Sequence, residues 1–528
     1  MRLIRVSSVV CLLLISALLV PSFVRAASPY SANETIRLTD GRAVTRSITS
    51  DPTAPSVVTE TGPGIPGRLT RDTVLWVDRN HLSAVAENVA ISGTGDYGVV
   101  GWWLNNKRCA LYAVPGGTGS PSWTHSMPNA GFQIPVDADY LGDRLVATAR
   151  SESLFTFTAA TSDPLFSDWY TNPYVGYRCG VSGGGNTYAG AGGNPSGVGG
   201  EVRIHDGATG ALLFVKSMTA PPEGICVSDD GAFVASNVRA FVKVWDVTTG
   251  AQRDSIPIAG ETQTPAVISG NGAYLVTGGF NKTVQLYHWN GAHYVLDWSH
   301  NIPGTTWVTS LAISRDGSTI VAGTWTNPTG GRVVLYDRSS STPLWTDSTF
   351  GDEVSSVALT PDGGIVAAGS WGRQGATVGN VISVYQRSSV TPLYTLGDDA
   401  LSGVGSVMSI DLSYNGRFLL AGGKAVHARD FGNGGFVLAM NLTNPADAPE
   451  SARLSRSIEA GPNPFATSLW IRSPGTVRVF SADGRVIRLL TGARWDGRDG
   501  AGREVPAGTY FLRGEGPVGR PLRVVRVR

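Results

Sequence analysis

The sequence predicts an all-β protein, an eight-bladed β-propeller followed by a small β-sandwich. Three observations predict it. A unit of four short apolar runs recurs eight times at a spacing of about 40 to 50 residues, the range of propeller blades. The eighth copy lacks its last run, while an orphan run of that type, Val74 to Asp78, precedes the first copy. After residue 457 this period gives way to shorter strands between Gly turns, as in a compact sandwich.

The unit is clearest in Val308 to Asp347. Its first run (Val308, Leu311, Ile313) stops at Ser314-Arg315-Asp316-Gly317, where Asp-Gly supplies the positive-φ turn. Ile320 to Gly323 is the second run and ends in small residues, as a crowded strand does. Val333 to Tyr336 is the third, and Leu344-Trp345 begins the fourth. Such a sheet cannot bury both faces alone, so it must stack on copies of itself.

In chain order, residues 1–26 read as a signal peptide. Met1 to Arg5 is basic, Val9 to Val20 apolar, and Val24-Arg25-Ala26 offers a cleavage site. No later stretch is long enough to span a membrane, so no transmembrane segment is expected in the mature chain. Residues 27–71 are polar and without clear periodicity, an irregular lead-in. The propeller is assigned to 72–442, a linker to 443–457 and the sandwich to 458–528.

The first hairpin counts the copies: Ser92, Ser182, Ser228, Ser269, Ser314, Thr360 and Ser413 mark seven corners. A degenerate eighth lies around Asp137-Ala138-Asp139; seven blades follow if that copy is an insertion. Fourth runs carry an aromatic at Trp123, Trp169, Phe214, Trp298, Trp345 and Tyr394. Trp76 in the orphan run supplies the one missing after Leu442, closing the ring and removing its free sheet edges.

The stretches His205-Asp206-Gly207-Ala208-Thr209-Gly210 and Trp245-Asp246-Val247-Thr248-Thr249-Gly250 resemble repeats of WD40-type and quinoprotein-like propellers. The resemblance implies that an Asp, a Thr-Gly turn and a fourth-strand Trp dock successive blades. It names a fold and no ligand. Catalytic quinoproteins stack their cofactor on a vicinal disulfide; no adjacent Cys pair exists here, and no cofactor is expected.

The last segment carries Pro462-Asn463-Pro464-Phe465, then Asp483-Gly484-Arg485, Trp495-Asp496-Gly497-Arg498-Asp499-Gly500 and Gly508-Thr509-Tyr510-Phe511. These motifs, in this order, resemble the C-terminal sorting domain of the type IX (Por) secretion system and the immunoglobulin-like domain of flagellar hook-capping proteins. The resemblance implies export across a bacterial outer membrane and makes the type IX machinery a partner. The mature protein is then secreted or held on the outer surface of a Gram-negative-type bacterium.

Composition narrows the function. The chain has 528 residues, 42% hydrophobic and 16% charged, with a formal net charge of +1, which fits sizeable cores and argues against a nucleic-acid surface. Once Cys11 is removed with the signal peptide, Cys109, Cys179 and Cys226 remain. Cys179 and Cys226 stand in different frames relative to the following Val-Ser, so free thiols are expected.

Motifs for chemistry have structural readings. Gly180-Val181-Ser182-Gly183-Gly184 matches a nucleophile elbow, but Ser182 aligns with the other corner serines. The Gly-rich run 183–200 lacks a βαβ context and reads as a blade loop. His288, His293 and His300 are not spaced to share one face, and Asp496 with Asp499 suits a turn better than a Ca²⁺ loop, so no metal site is expected.

Trp102, Trp103, Trp307, Trp325 and Trp371 lie outside the docking position, at strand ends or in loops, where aromatics bind glycans or peptides or else pack between blades. The expected function is therefore binding of a protein or carbohydrate on one propeller face. The competing expectation is an extracellular hydrolase, lyase or oxidoreductase whose acidic and basic side chains converge in the central funnel.

Overall fold

In the computed structural model, the described residues are 31–37, 43–49 and 58–61, then 74–442 without 80–83, 105, 129–132, 150–152, 259–264, 328–329, 375–379, 398–403 and 431–433, and finally most of 459–527. The signal peptide, the linker 443–457, Pro462-Asn463-Pro464 and Asp483-Gly484-Arg485 lie outside the described residues. Among the described residues every element is a strand. Within the span read as an irregular lead-in, Ser31–Arg37, Ala43–Thr49 and Val58–Thr61 form an antiparallel three-stranded sheet. Most of its residues are polar, so the sequence offers no apolar alternation to read.

Eight four-stranded antiparallel sheets make the propeller. Their first strands are Ala84–Ile91, Val136–Ala138, Val175–Val181, Gly224–Val227, Val267–Ile268, Trp307–Ile313, Ser356–Leu359 and Ser406–Leu412, numbered here as blades one to eight. Blade eight takes its fourth strand from the other end of the chain: Val437 to Met440 pair with Asp78 to Val74. The orphan strand closes the ring, and eight blades are correct.

The degenerate second copy is a true blade because its corner has the shared geometry. In each first hairpin the corner oxygen accepts the amide five residues on: Ser92 from Tyr97, Ser182 from Thr187, Ser228 from Phe233, Ser269 from Tyr274, Ser314 from Thr319, Thr360 from Ile365 and Ser413 from Phe418, at 2.9–3.2 Å. Asp139 does the same for Arg144 at 3.2 Å. Three residues after each corner stands a glycine with positive φ, Gly142 included, a conformation that a side chain would strain. Ser182 is thus a turn residue.

Blades dock through their fourth strands. The indole N–H of Trp76, Trp123, Trp298 and Trp345 donates to a carbonyl after the third strand of the next blade: Val114, Ala159, Arg338 and Arg387, at 2.8–3.3 Å. Two residues beyond, Asp78 accepts the Tyr112 hydroxyl (2.8 Å) and Asp347 that of Tyr385 (2.6 Å). The closing strand therefore repeats the lock of an ordinary blade. In blade two the docking aromatic is Phe166, not Trp169. Phe166 pairs with Thr156 just ahead of the bulge and packs on Gly210 of the Thr-Gly turn, while Trp169 is 61% exposed. Counting from the bulge, rather than picking the Trp, would have found it.

The C-terminal unit is a β-sandwich of a three-stranded and a four-stranded sheet. Its core gathers Phe465, Leu469, Val479, Trp495, Tyr510, Leu512 and Val524. Trp495 packs on Phe465 and Tyr510, and its N–H donates to the Arg498 carbonyl at 2.9 Å. The Tyr510 hydroxyl reaches back to the Pro506 carbonyl at 2.7 Å, a corner device of immunoglobulin-like sandwiches. Gly508 and Thr509 open the strand Gly508–Gly514.

Candidate functional site: the central funnel

First strands line the ring's axis, and a repeated irregularity aims their side chains. Register shifts enclose Glu87 in blade one, Tyr177 in blade three, Thr309 in blade six and Met408 in blade eight, each five residues before its corner. A bulge adds one residue and re-aims it out of the alternation. Glu87, Thr309 and Met408 consequently line a cavity of about 340 Å³ on the axis, together with Asn88, Gln133, Arg178, Phe280, Trp307, Glu353, Ser355 and Trp371.

The far end of the axis is closed. The Tyr414 hydroxyl of blade eight donates to Asp229 of blade four, the diametrically opposite blade, at 2.9 Å. Arg315 of blade six also reaches Asp229, at 2.5 Å, and Tyr140 of blade two packs on Tyr414. Corner backbones are linked as well: Gly93 to Asp139, Tyr140 to Gly183, Gly183 to Asp229, Gly270 to Arg315, Arg315 to Pro361 and Tyr414 to Gly93. The funnel has one mouth.

On one wall, Gln133 donates to Glu87 at 2.9 Å and accepts from Arg178 at 2.5 Å. Burial raises the Glu87 carboxyl above its usual range, with Gln133 and Arg178 drawing it back, and burial lowers the Arg178 guanidinium against the pull of Glu87 and Glu223. On the other wall, burial pushes Glu353 up to about 7; Asp352 adds to this and Arg429 opposes it. Among the described residues, three polar atoms of the cavity-lining side chains are buried with no protein partner: Glu87 Oε2, Asn88 Nδ2 and Trp371 Nε1. Deeper in the ring, Asp137 and Asp411 accept the Val181 and Ile91 amides of the next blades, at 2.8 and 2.9 Å.

Aromatic side chains continue outward from the cavity. Phe280 meets Trp307 edge to face at 4.7 Å, and Trp307 lies 5.4 Å from Trp325. Arg429 sits over both Trp325 and Trp371 and forks onto the buried Asp352 at 2.7 and 2.8 Å. Of the five tryptophans expected on a ligand face, Trp307 and Trp371 line the cavity and Trp325 backs them. Trp102 is fully buried in the core between blades eight and one, with Arg108 over its ring, and so is not a face residue. Trp103 is half-buried at a strand end, away from the cavity lining.

Other candidates have local partners. His288 pairs with Asp297, His293 lies 3.7 Å from Asp254 and His300 bonds the Tyr336 hydroxyl, so the three histidines point to separate partners. Asp499 accepts the Ala501 and Arg503 amides, and Asp496 that of Arg498, which are turn bonds. Among the described residues Cys109, Cys179 and Cys226 are free thiols.

The raised Glu353 pKa carries a sign. The folded protein holds this proton more tightly than the unfolded chain, whose carboxyl has the usual value of 4.5. Its contribution to stability is full below 4.5 and is lost as pH rises through about 7. Melting temperature should fall between those limits, and Glu353→Gln should make the fall shallower. An unchanged slope in the variant would contradict this origin.

No family model matches the chain. A stretch of 123 residues is 27% identical to the U3 small nucleolar RNA-associated protein 15 homologs of Gallus gallus and Bos taurus. That stretch covers 23% of this chain, which in turn spans 23% of those relatives' length. With the eight blades, this likeness supports a WD-repeat-like, all-β propeller.

Proposed function

We propose that the protein is a secreted or surface-held bacterial propeller that binds a carbohydrate or protein ligand in the mouth of its funnel, acting by binding rather than catalysis. The observation that carries this reading is the one-mouthed cavity, with Trp307, Trp371 and Phe280 against the Glu87–Gln133–Arg178 wall. Aromatic walls with a few fixed polar groups are the composition of ligand sites. Export rests on the motif resemblance, supported by motif residues Phe465, Trp495 and Tyr510 building the sandwich core.

Export is tested in a bacterium with a type IX system. Full-length chain should reach the medium or outer surface, and chain ending at residue 457 should stay in the periplasm. Equal export of both would remove the sorting role.

A hydrolytic reading has one observation in its favour: two carboxyls, Glu87 and Glu353, line the cavity, and Glu353, pushed up to about 7, suits the acid of an acid–base pair. Turnover of aryl glycosides that disappears in Glu353→Gln would establish it over binding.

A further inference from the structure

We propose that the ligand taken by the funnel is the end of a neutral saccharide chain, seated with its terminal ring among Glu87, Asn88 and Trp371. This rests on the funnel being the binding site.

The unpartnered atoms select the chemistry. In the ionised carboxylate Glu87 Oε2 is an acceptor, whereas Asn88 Nδ2 and Trp371 Nε1 are donors, and all three belong to side chains that line one cavity. A buried polar atom without a partner costs free energy that a ligand can recover. Only a ligand that both donates and accepts can satisfy this set, and sugar hydroxyls do both. An ammonium group can only donate; it would leave Asn88 and Trp371 unmet and face the Arg178 guanidinium in the wall. A uronic acid or phosphate would face Glu87 and Glu353, and could seat only where those carboxyls hold their protons. The Arg178 charge is already drawn on by Glu87 and Glu223, so it does not balance a further anion freely.

The apolar surface agrees. Trp307, Trp371 and Phe280 give the cavity aromatic surface, which suits the C–H side of a pyranose ring. The closed far end decides the mode of entry. With Tyr414, Asp229, Arg315 and Tyr140 across the axis, a polymer cannot thread through. A cavity of about 340 Å³ takes a small ligand or a chain end rather than a folded partner.

The test uses full-length mature protein and three sets of probes. The first is neutral oligosaccharides, trimers of glucose, mannose, galactose, xylose and N-acetylglucosamine; the second is trigalacturonate; the third is a set of tripeptides. Binding is followed by tryptophan fluorescence and calorimetry. At least one neutral trimer should bind saturably and shift the tryptophan emission. Trp371→Ala should abolish that binding, while Trp371→Phe and Glu87→Gln weaken it about three- to tenfold, the loss of one hydrogen bond. Unchanged melting curves keep the variants interpretable, and Trp169→Ala, far from the funnel, should bind normally. Binding of tripeptides or trigalacturonate alone, lost in Trp371→Ala, would overturn the neutral saccharide and keep the site. Binding of a neutral trimer that ignores Trp371 and Glu87 would overturn the site itself. No binding from any set would overturn both.

Discussion

Trp76→Ala should destabilise the propeller by about 3–5 kcal/mol, the usual cost of emptying a buried Trp site. The indole is 6% exposed, stacks on Tyr112 at 5.4 Å and donates to Val114. Asp78→Ala should add a loss of about 1–3 kcal/mol, because the buried Tyr112 hydroxyl loses its acceptor. Trp345→Ala and Asp347→Ala, at the same lock between blades six and seven, should cost similar amounts. The two sites should differ in consequence. The blade-eight lock holds a strand joined to its sheet only by pairing, so its loss frees the edge of Gly435–Asn441, where every residue is buried. The Trp76→Ala, Asp78→Ala double variant should therefore aggregate on heating, while the Trp345/Asp347 pair melts earlier but stays soluble. Denaturant titration and light scattering read the two effects separately. Equal scattering from both doubles would show that the terminal strand closes nothing special.

Arg429→Ala should cost about 3 kcal/mol or more, although it removes no apolar core. Asp352 is fully buried, and Arg429 is the cation that forks onto it; His427 stands 3.5 Å away. Stripping one partner from a buried ion pair strands the other charge. Arg429→Lys should recover only part of this, since an ammonium cannot make both bonds or lie flat between Trp325 and Trp371. Because Trp371 lines the funnel, the alanine variant should also redden tryptophan emission. A loss below about 1 kcal/mol, within the range of exposed ion pairs, would show that water already reaches Asp352.

Much of the fold was legible because its signals are local and repeated. A corner serine with a glycine three residues on can be read by eye, and so can the Trp-x-Asp shared by 76–78 and 345–347. The blade-two aromatic was misread because residue type, not register, was followed: Trp169 is the larger ring, but Phe166 holds the paired position. Most of the funnel escaped for a related reason. Glu87 and Arg178 look like faults in apolar runs until a bulge is allowed for, and Gln133 lies just outside its strand. A signal did exist, since residues 87, 177, 309 and 408 each stand five positions before a corner serine. Glu353 had no such marker; its neighbours across the axis are set by ring closure, which no local window contains.

The bond between Tyr414 and Asp229 spans the ring like a spoke across a hoop, and the corner-to-corner amide bonds form the rim it braces. A hoop held this way resists becoming oval, so the opposite opening keeps its diameter whether or not anything occupies it. Recognition there resembles a key entering a lock already cut: little ordering entropy is spent on arrival, and selectivity comes from shape rather than from closure around the guest.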